Sequence, residues 1–228
     1  MVAPPPCAST RRHVVVLAGG DPVRPPLPRP LPRADAVIAA DSGLAAAEGL
    51  GLSVDVVVGD LDSVEPAQLA AARAAGVRIE VHPRDKDRTD LAIALDTAID
   101  SGAEAITVVG GAGGRFDHLL AGALLLASPS YADAEVTAVM GPAVVTVVRG
   151  ERRLHGRSGE IVGLVAVHGP ARGVTTQGLA YPLIDDELSA GSSRGVSNIL
   201  HTDTALVHVR EGVLLAVQPG AMAPDGVT

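Results

Sequence analysis

Four short blocks hold seven aspartates and the chain's only lysine, Lys86: ADSG (Ala40 to Gly43), GDLDS (Gly59 to Ser63), DKDRTD (Asp85 to Asp90) and GGAGGRFDH (Gly110 to His118). Each block follows or borders an apolar, strand-like run. Carboxylates gathered at strand ends repel one another, and a pair about 5 Å apart costs about 3 kcal/mol at an effective dielectric of 20. A divalent cation and a polyphosphate would offset that repulsion. The blocks therefore point to a site for a metal and a nucleotide.

The chemistry differs from block to block. In GDLDS, Asp60 and Asp62 stand two residues apart, so in extended backbone both carboxylates face one way. Two hard oxygen ligands from one segment suit Mg²⁺, which takes one or two carboxylates plus phosphate oxygens and water. A solvated acidic turn is the alternative when this block is read alone. DKDRTD adds Asp87 and Asp90 beside Lys86 and Arg88, with Thr89 able to cap a helix and so aim backbone N–H groups at an anion. Asp90 reads equally as a helix-capping acid. An ammonium is a compact point charge and a guanidinium a planar fork. Retention of the one lysine among 18 basic residues, inside an acidic cluster, thus favours a tight phosphate contact. GGAGGRFDH is a turn whose Gly113 and Gly114 let backbone approach phosphates, with Arg115 as a clamp, Asp117 in the next helical turn and His118 beside it. It is neither GxGxxG nor a P-loop. Asp41 in ADSG is a further acid at a strand end, or a cap for the helix after it.

The elements that must position these residues are legible. Runs 13–18, 35–40, 54–58 and 105–109 are continuously apolar, as suits strands buried on both faces of a parallel sheet. Helical stretches fall between them, over 44–50, 66–75, 89–99 and 117–127. Pro66 stands at a first helical position, Gly76 is a stop, and Leu91, Leu95, Ala98 and Ile99 form one stripe. The alternation predicts an α/β fold with a doubly wound, mostly parallel sheet, whose ligands sit beyond the strands' carboxyl ends. Residues 21–33 carry six prolines and read as an extended loop. After Gly141 the pattern changes. Runs 143–148, 160–167, 205–209 and 213–217 look like strands parted by Gly and Pro, which predicts a small all-β sandwich over 142–228 following an α/β domain over 1–141.

Composition narrows the classes. Hydrophobic content of 47% with 1% aromatics means cores of Ala, Val, Leu and Ile. A net charge of −8 argues against nucleic acid or an anionic membrane as partner. The lone Cys7 excludes an internal disulfide and a cysteine zinc site. No run approaches the roughly 20 apolar residues of a spanning helix, and Arg11 and Arg12 do not lead into a signal-peptide core. The expectation is a soluble, cytoplasmic protein.

The ordered set of four blocks resembles the thiamine pyrophosphokinase family, with Gly195-Val196-Ser197-Asn198 similar to a segment of its β-sandwich domain. The resemblance implies a homodimer that converts ATP and thiamine to AMP and thiamine diphosphate with Mg²⁺, thiamine lying near the subunit interface. Carried onto this sequence, Asp60, Asp62 and Asp87 would form the metal site. Asp41, Asp62, Asp87 and Arg115 would be catalytic. Lys86 and Arg115 would meet phosphates, and Asp90, Gly113, Gly114, Asp117 and His118 would shape the nucleotide site. Ser197 and Asn198 would lie near thiamine. Relatives can stack a Trp on thiamine near the carboxy terminus, where this chain reads Gly212-Val213-Leu214-Leu215 and has no Trp at all. That leaves another alcohol, such as a hydroxymethylpterin, open as acceptor, and a non-catalytic nucleotide-binding relative open as a class.

Overall fold

The computed structural model describes residues 11–220. Cys7 lies outside them. The amino-terminal part alternates strands β1 (His13–Leu17), β2 (Ala36–Ala40), β3 (Val56–Gly59), β4 (Arg78–Val81), β5 (Ala105–Val109) and β6 (Glu135–Met140) with helices α1 (Leu44–Leu50), α2 (Pro66–Ala74), α3 (Asp90–Asp100) and α4 (Phe116–Leu125). The strands pair in parallel in the order β4-β3-β2-β1-β5-β6. Every residue of β1 is buried, because β1 sits mid-sheet with packing on both faces. On one face Val14, Val16, Ile38 and Ile106 meet Leu95, Ala94 and Ala98 of α3. On the other, Val15, Leu17 and Val37 meet Ala47 of α1. Each fully buried Val, Leu or Ile contributes about 1.5–3 kcal/mol, so aliphatic side chains suffice without aromatics.

Register places the blocks. Leu17 pairs with Val109 and with Ala39, and Ala40 pairs with Val58, so neighbouring strands end at nearly one level. The chain leaves β2, β3 and β5 there, directly into Asp41, Asp60 and Gly110. Strand order reverses between β1 and β5, the position where open α/β sheets bind ligands.

The sheet continues past residue 141. Strand β7 (Ala143–His155) forms a hairpin with β6, Met140 facing Ala143. Then follow β8 (Ile161–Ala166), β9 (Ala171–Gln177), β10 (Asp186–Leu188), β11 (Asn198–Ile199) and β12 (Thr204–Gln218). Strand β12 pairs with β7 along its length, but its first half also pairs with β9 and its second half with β8. The register slips between Val209 and Leu214. Val162, Leu164, Val174, Leu188, Val207 and Leu214 belong to one buried core cluster shared by β8, β9, β10 and β12. The runs 205–209 and 213–217, expected as separate strands, are thus one strand crossing between two pairings. Strands β4, β6, β9, β10 and β11 were not legible. Edge strand β4 (RIEV) and β9 (ARGVTTQ) carry charged or polar residues and lack an unbroken apolar run.

Candidate active site

Asp41 opens a short 3-10 turn immediately after β2, with φ 48°. That left-handed backbone suits Asp or Asn better than most residues, and it turns the carboxylate over the end of β3. Gly59 ends β3 with φ 142°. A Cβ there would lie 3.1 Å from both Asp41 Cβ and Asp90 Oδ1, so only glycine lets the two acids close over this strand end. The next loop presents Asp60 and Asp62. The backbone N–H of Asp62 donates to Asp60 Oδ1 at 3.1 Å.

Asp41, Asp60 and Asp62 bring one carboxylate oxygen each to within 4.8 Å of one another. Burial raises the pKa of Asp41, the Ser63 hydroxyl that donates to Oδ2 opposes this, and the charges of Asp90 and Asp60 raise it further. Asp60 is held below the ordinary carboxylate range, first by the Asp62 N–H; burial works against that and Lys86 assists it. Two oxygens, Asp41 Oδ1 and Asp90 Oδ1, are buried without a hydrogen-bond partner among the described residues. A hard, all-oxygen donor set with unpaired buried lone pairs fits a divalent cation.

Lys86 reaches into the same cluster. Its ammonium lies 3.1 Å from Asp90 Oδ1 and 3.6 Å from Asp60 Oδ2. The contact with Asp90 Oδ1 is an ion pair without hydrogen-bond geometry, which reconciles it with the unpaired state of that oxygen. Burial lowers the Lys86 pKa, but Asp90 and Asp60 outweigh it, and the net shift is upward. Thr89, extended at the cap of α3, accepts the Ala92 N–H at 3.2 Å. The cap is therefore Thr89, and Asp90 is free to join the acids. Arg84 pairs with Asp62 at 2.8 Å and Arg88 pairs with Asp96, so the loop is tied at both ends.

Asp41, Asp60, Ser63, Lys86, Thr89 and Asp90 line a cavity of about 730 Å³. Its far wall is Gly111, Gly113, Gly114, Arg115 and His118. Gly113, with φ 81°, backs directly on Asp21: an added Cβ would fall 2.0 Å from the Asp21 carboxyl carbon. Arg115 caps α4 and makes a two-bond contact with Asp117, Nε to Oδ1 at 3.1 Å and an Nη to Oδ2 at 2.5 Å. That pairing holds the guanidinium above, and the Asp117 carboxyl below, its ordinary pKa. A larger cavity of about 1140 Å³ lies between the Pro-rich segment and β7, β8 and β12, away from the carboxylate trio.

The family model described as "Thiamin pyrophosphokinase, catalytic domain" matches residues 28–138, and "Thiamin pyrophosphokinase, vitamin B1 binding domain" matches 147–214. The chain belongs to the thiamine pyrophosphokinase family. A thiamine pyrophosphokinase from Bacillus subtilis is 23% identical over 189 residues, covering 79% of this chain and 86% of the relative. Thiamine pyrophosphokinase 1 from Oryza sativa subsp. japonica is 27% identical over 67% of this chain and 61% of its own length. The crystal structure of the Bacillus subtilis protein superposes with a TM-score of 0.78 at 21% identity, over 92% of this chain and 100% of that one. That of the Geobacillus thermodenitrificans protein gives 0.74 at 26%, over 92% and 99%.

Within this family frame, the expected residues sort into three groups. Asp41, Asp60, Lys86, Asp87, Asp90, Gly113, Gly114, Arg115 and His118 share the cavity. Asp62 joins the carboxylate trio and Asp117 reaches the site through Arg115. Asp87 lines the cavity, while the three carboxylates within 4.8 Å of one another are Asp41, Asp60 and Asp62. Ser197 and Asn198 do not line this cavity. Asn198 is buried and spends its amide on Tyr181, accepting its N–H at 3.0 Å and donating to its carbonyl at 2.7 Å. The Gly212-to-Leu215 neighbourhood is core, with Val213, Leu214 and Leu215 all buried. Sequence reasoning missed Ser63 and Arg84. Ser63 ends the GDLDS block and Arg84 precedes DKDRTD, but nothing in one chain pairs them with Asp41 and Asp62.

Proposed function

We infer that this protein transfers the diphosphate of ATP to the hydroxyl of thiamine, giving thiamine diphosphate and AMP. The observation that carries the reading is the carboxylate trio, with Asp41 Oδ1 buried and unpaired among the described residues, set at the strand ends of a chain that matches both domains of the family. In the reaction the acceptor hydroxyl oxygen attacks the β-phosphorus. The bond from that phosphorus to the oxygen bridging it to the α-phosphorus breaks, and AMP departs with that oxygen. Asp41, Asp60 and Asp62 would hold Mg²⁺, which when bound neutralises charge on the phosphate oxygens. Lys86 adds a fixed positive charge beside them. The first turn of α3 offers N–H groups that no helix carbonyl reaches. Arg115 can exchange its exposed partner Asp117 for a phosphate oxygen, because exposed ion pairs hold weakly. Asp87 and Asp90 both line the cavity outside the trio, and we assign the hydroxyl proton to Asp87, because Lys86 already pairs with Asp90.

Thiamine is favoured over a pterin alcohol because the vitamin B1 binding domain matches 147–214. The segment Ser197–Asn198 does not line the cavity of its own chain. This supports a homodimer in which a second copy brings its β domain to the site, and exposed Tyr181, Ile184 and Val196 on that domain fit such a contact. No helix among the described residues is long and apolar enough to cross a membrane; the need for ATP favours the cytoplasm. The test is incubation with Mg-ATP and thiamine, with products identified by mass. Thiamine diphosphate and equimolar AMP are expected. Thiamine monophosphate with ADP would show single-phosphoryl transfer and refute the reading.

A further inference from the structure

Behind the loop that carries Lys86 lies a polar chain that the reaction as described does not use. Arg88 lines the cavity, and its guanidinium is paired with Asp96, two turns along α3. The other oxygen of Asp96 accepts the Tyr131 hydroxyl at 3.1 Å. That hydroxyl also lies 3.4 Å from the Ala92 carbonyl. Tyr131 is 2% exposed and is the largest fully buried side chain among the described residues, whereas the Arg88 and Asp96 side chains are 52% and 30% exposed. An exposed pair alone would wander. Here a buried phenol fixes Asp96, and Asp96 fixes Arg88, one residue before the helix cap.

We propose that Asp96 and Tyr131 are positioning residues for diphosphate transfer: they tether Arg88 and so hold the 84–90 loop, with Lys86 at its centre, at the reach the phosphates require. The loop's other end is held by Arg84 on Asp62. With one tether cut, Lys86 keeps its partners but its loop gains freedom, and that freedom must be lost again when the nucleotide binds. Contacts within the tether favour the charged guanidinium and the neutral, hydrogen-donating phenol. The Asp96 hydrogen bond raises the Arg88 pKa, and burial, then Asp96, pushes the Tyr131 phenol up to about 12. Neither the guanidinium nor the phenol of the tether changes its charge near neutral pH.

The effect is set by the loosest link. An exposed ion pair is worth at most about 1 kcal/mol, or about fivefold in an equilibrium constant. The proposal rests on the diphosphotransferase reading, so the experiment separates the two. Full-length protein carrying Tyr131→Phe, Asp96→Asn, or both is titrated with Mg-ATP by calorimetry, and turnover with thiamine is followed in parallel. Asp96→Asn is expected to weaken Mg-ATP about fivefold and Tyr131→Phe about two- to threefold, with the double variant no worse than Asp96→Asn. The KM for Mg-ATP rises by the same factors, while kcat and the KM for thiamine stay within twofold. Asp96→Glu restores most of the affinity. A lowered Tm with unchanged Mg-ATP affinity would make the chain purely structural and overturn the proposal. So would penalties that multiply in the double variant. If the wild type binds Mg-ATP but forms no thiamine diphosphate, the functional reading fails while the affinity ratios still judge the tether.

Discussion

Asp41→Asn should stabilise this protein without metal and disable it with metal. Asp41 lies within 4.8 Å of Asp60 and Asp62 oxygens. At that separation one like-charge pair costs about 3 kcal/mol at an effective dielectric of 20 and about 1 kcal/mol in bulk water. Asp62 is partly exposed, so the lower figure applies to it, and Lys86 and Arg84 offset part of both. The Ser63 hydrogen bond, about 1 kcal/mol, survives in part because the Asn carbonyl can accept it. Asn also tolerates the left-handed backbone at φ 48°. The net gain is about 1–2 kcal/mol, which is roughly 2–8 °C in Tm for a chain of this size. The pH dependence has a definite sign. Burial raises the folded pKa of Asp41, so its destabilising effect is absent below the ordinary carboxylate range and grows as pH rises through the raised value. The Tm difference between variant and wild type should therefore vanish in acid and reach its full size near neutrality. Adding Mg²⁺ should raise the wild-type Tm and leave the variant nearly unmoved. Thermal unfolding in chelator, then in millimolar Mg²⁺, across pH checks all three. A variant less stable than wild type in chelator at neutral pH would show the carboxylate to be structural and refute the reasoning.

Three further outcomes are expected. Lys86→Met removes the one ammonium beside Asp60 and Asp90 and should lower kcat about a hundredfold; turnover within twofold of wild type would remove Lys86 from the mechanism. Thr89→Ala deletes the cap of α3 and should cost about 1 kcal/mol, seen as a lower urea midpoint that Thr89→Ser restores; an unchanged midpoint would mean the cap carries no stability. Gly113→Ala places a Cβ on the Asp21 carboxyl at φ 81° and should cost about 1–3 kcal/mol; unaltered stability would show the Asp21 contact to be loose.

What was legible in the sequence follows from range. Unbroken apolar runs give β1, β2, β3 and β5 because a buried parallel strand has no wet face to alternate with. Strand ends were therefore readable, and with them Asp41, Asp60 and the Gly110 turn. The trio was not. That Asp41 stands with Asp60 and Asp62 depends on the Ala40–Val58 register and on Gly59, whose missing side chain lets Asp41 and Asp90 approach. Thr89 against Asp90 as cap was likewise open until one hydrogen bond, Ala92 to Thr89, decided it. In the β part the irregular strand β12 reads as two because its register slips between Val209 and Leu214. Asn198, placed near thiamine by the family resemblance, is buried and its amide holds the Tyr181 backbone, a contact that no pattern in the chain announces.

Charge balance couples the two ligands of the site. Asp41, Asp60, Asp62, Asp87 and Asp90 face Arg84, Lys86, Arg88 and Arg115, and Asp117 already occupies Arg115. The carboxylates outnumber the cations, so free ATP, itself a polyanion, meets a surface with no net attraction. A divalent cation alone meets unpaired oxygens, but only protein ligands. Each ligand relieves what opposes the other, and the coupling must then be reciprocal. ATP should bind at least about tenfold more weakly in chelator than in Mg²⁺, and Mg²⁺ about tenfold more weakly without nucleotide, with both factors equal within error. Calorimetric titrations along the two routes around the cycle measure both. Equal ATP affinity with and without Mg²⁺ would mean that the arginines and Lys86 alone hold the phosphates, and that the acids serve some purpose other than the metal.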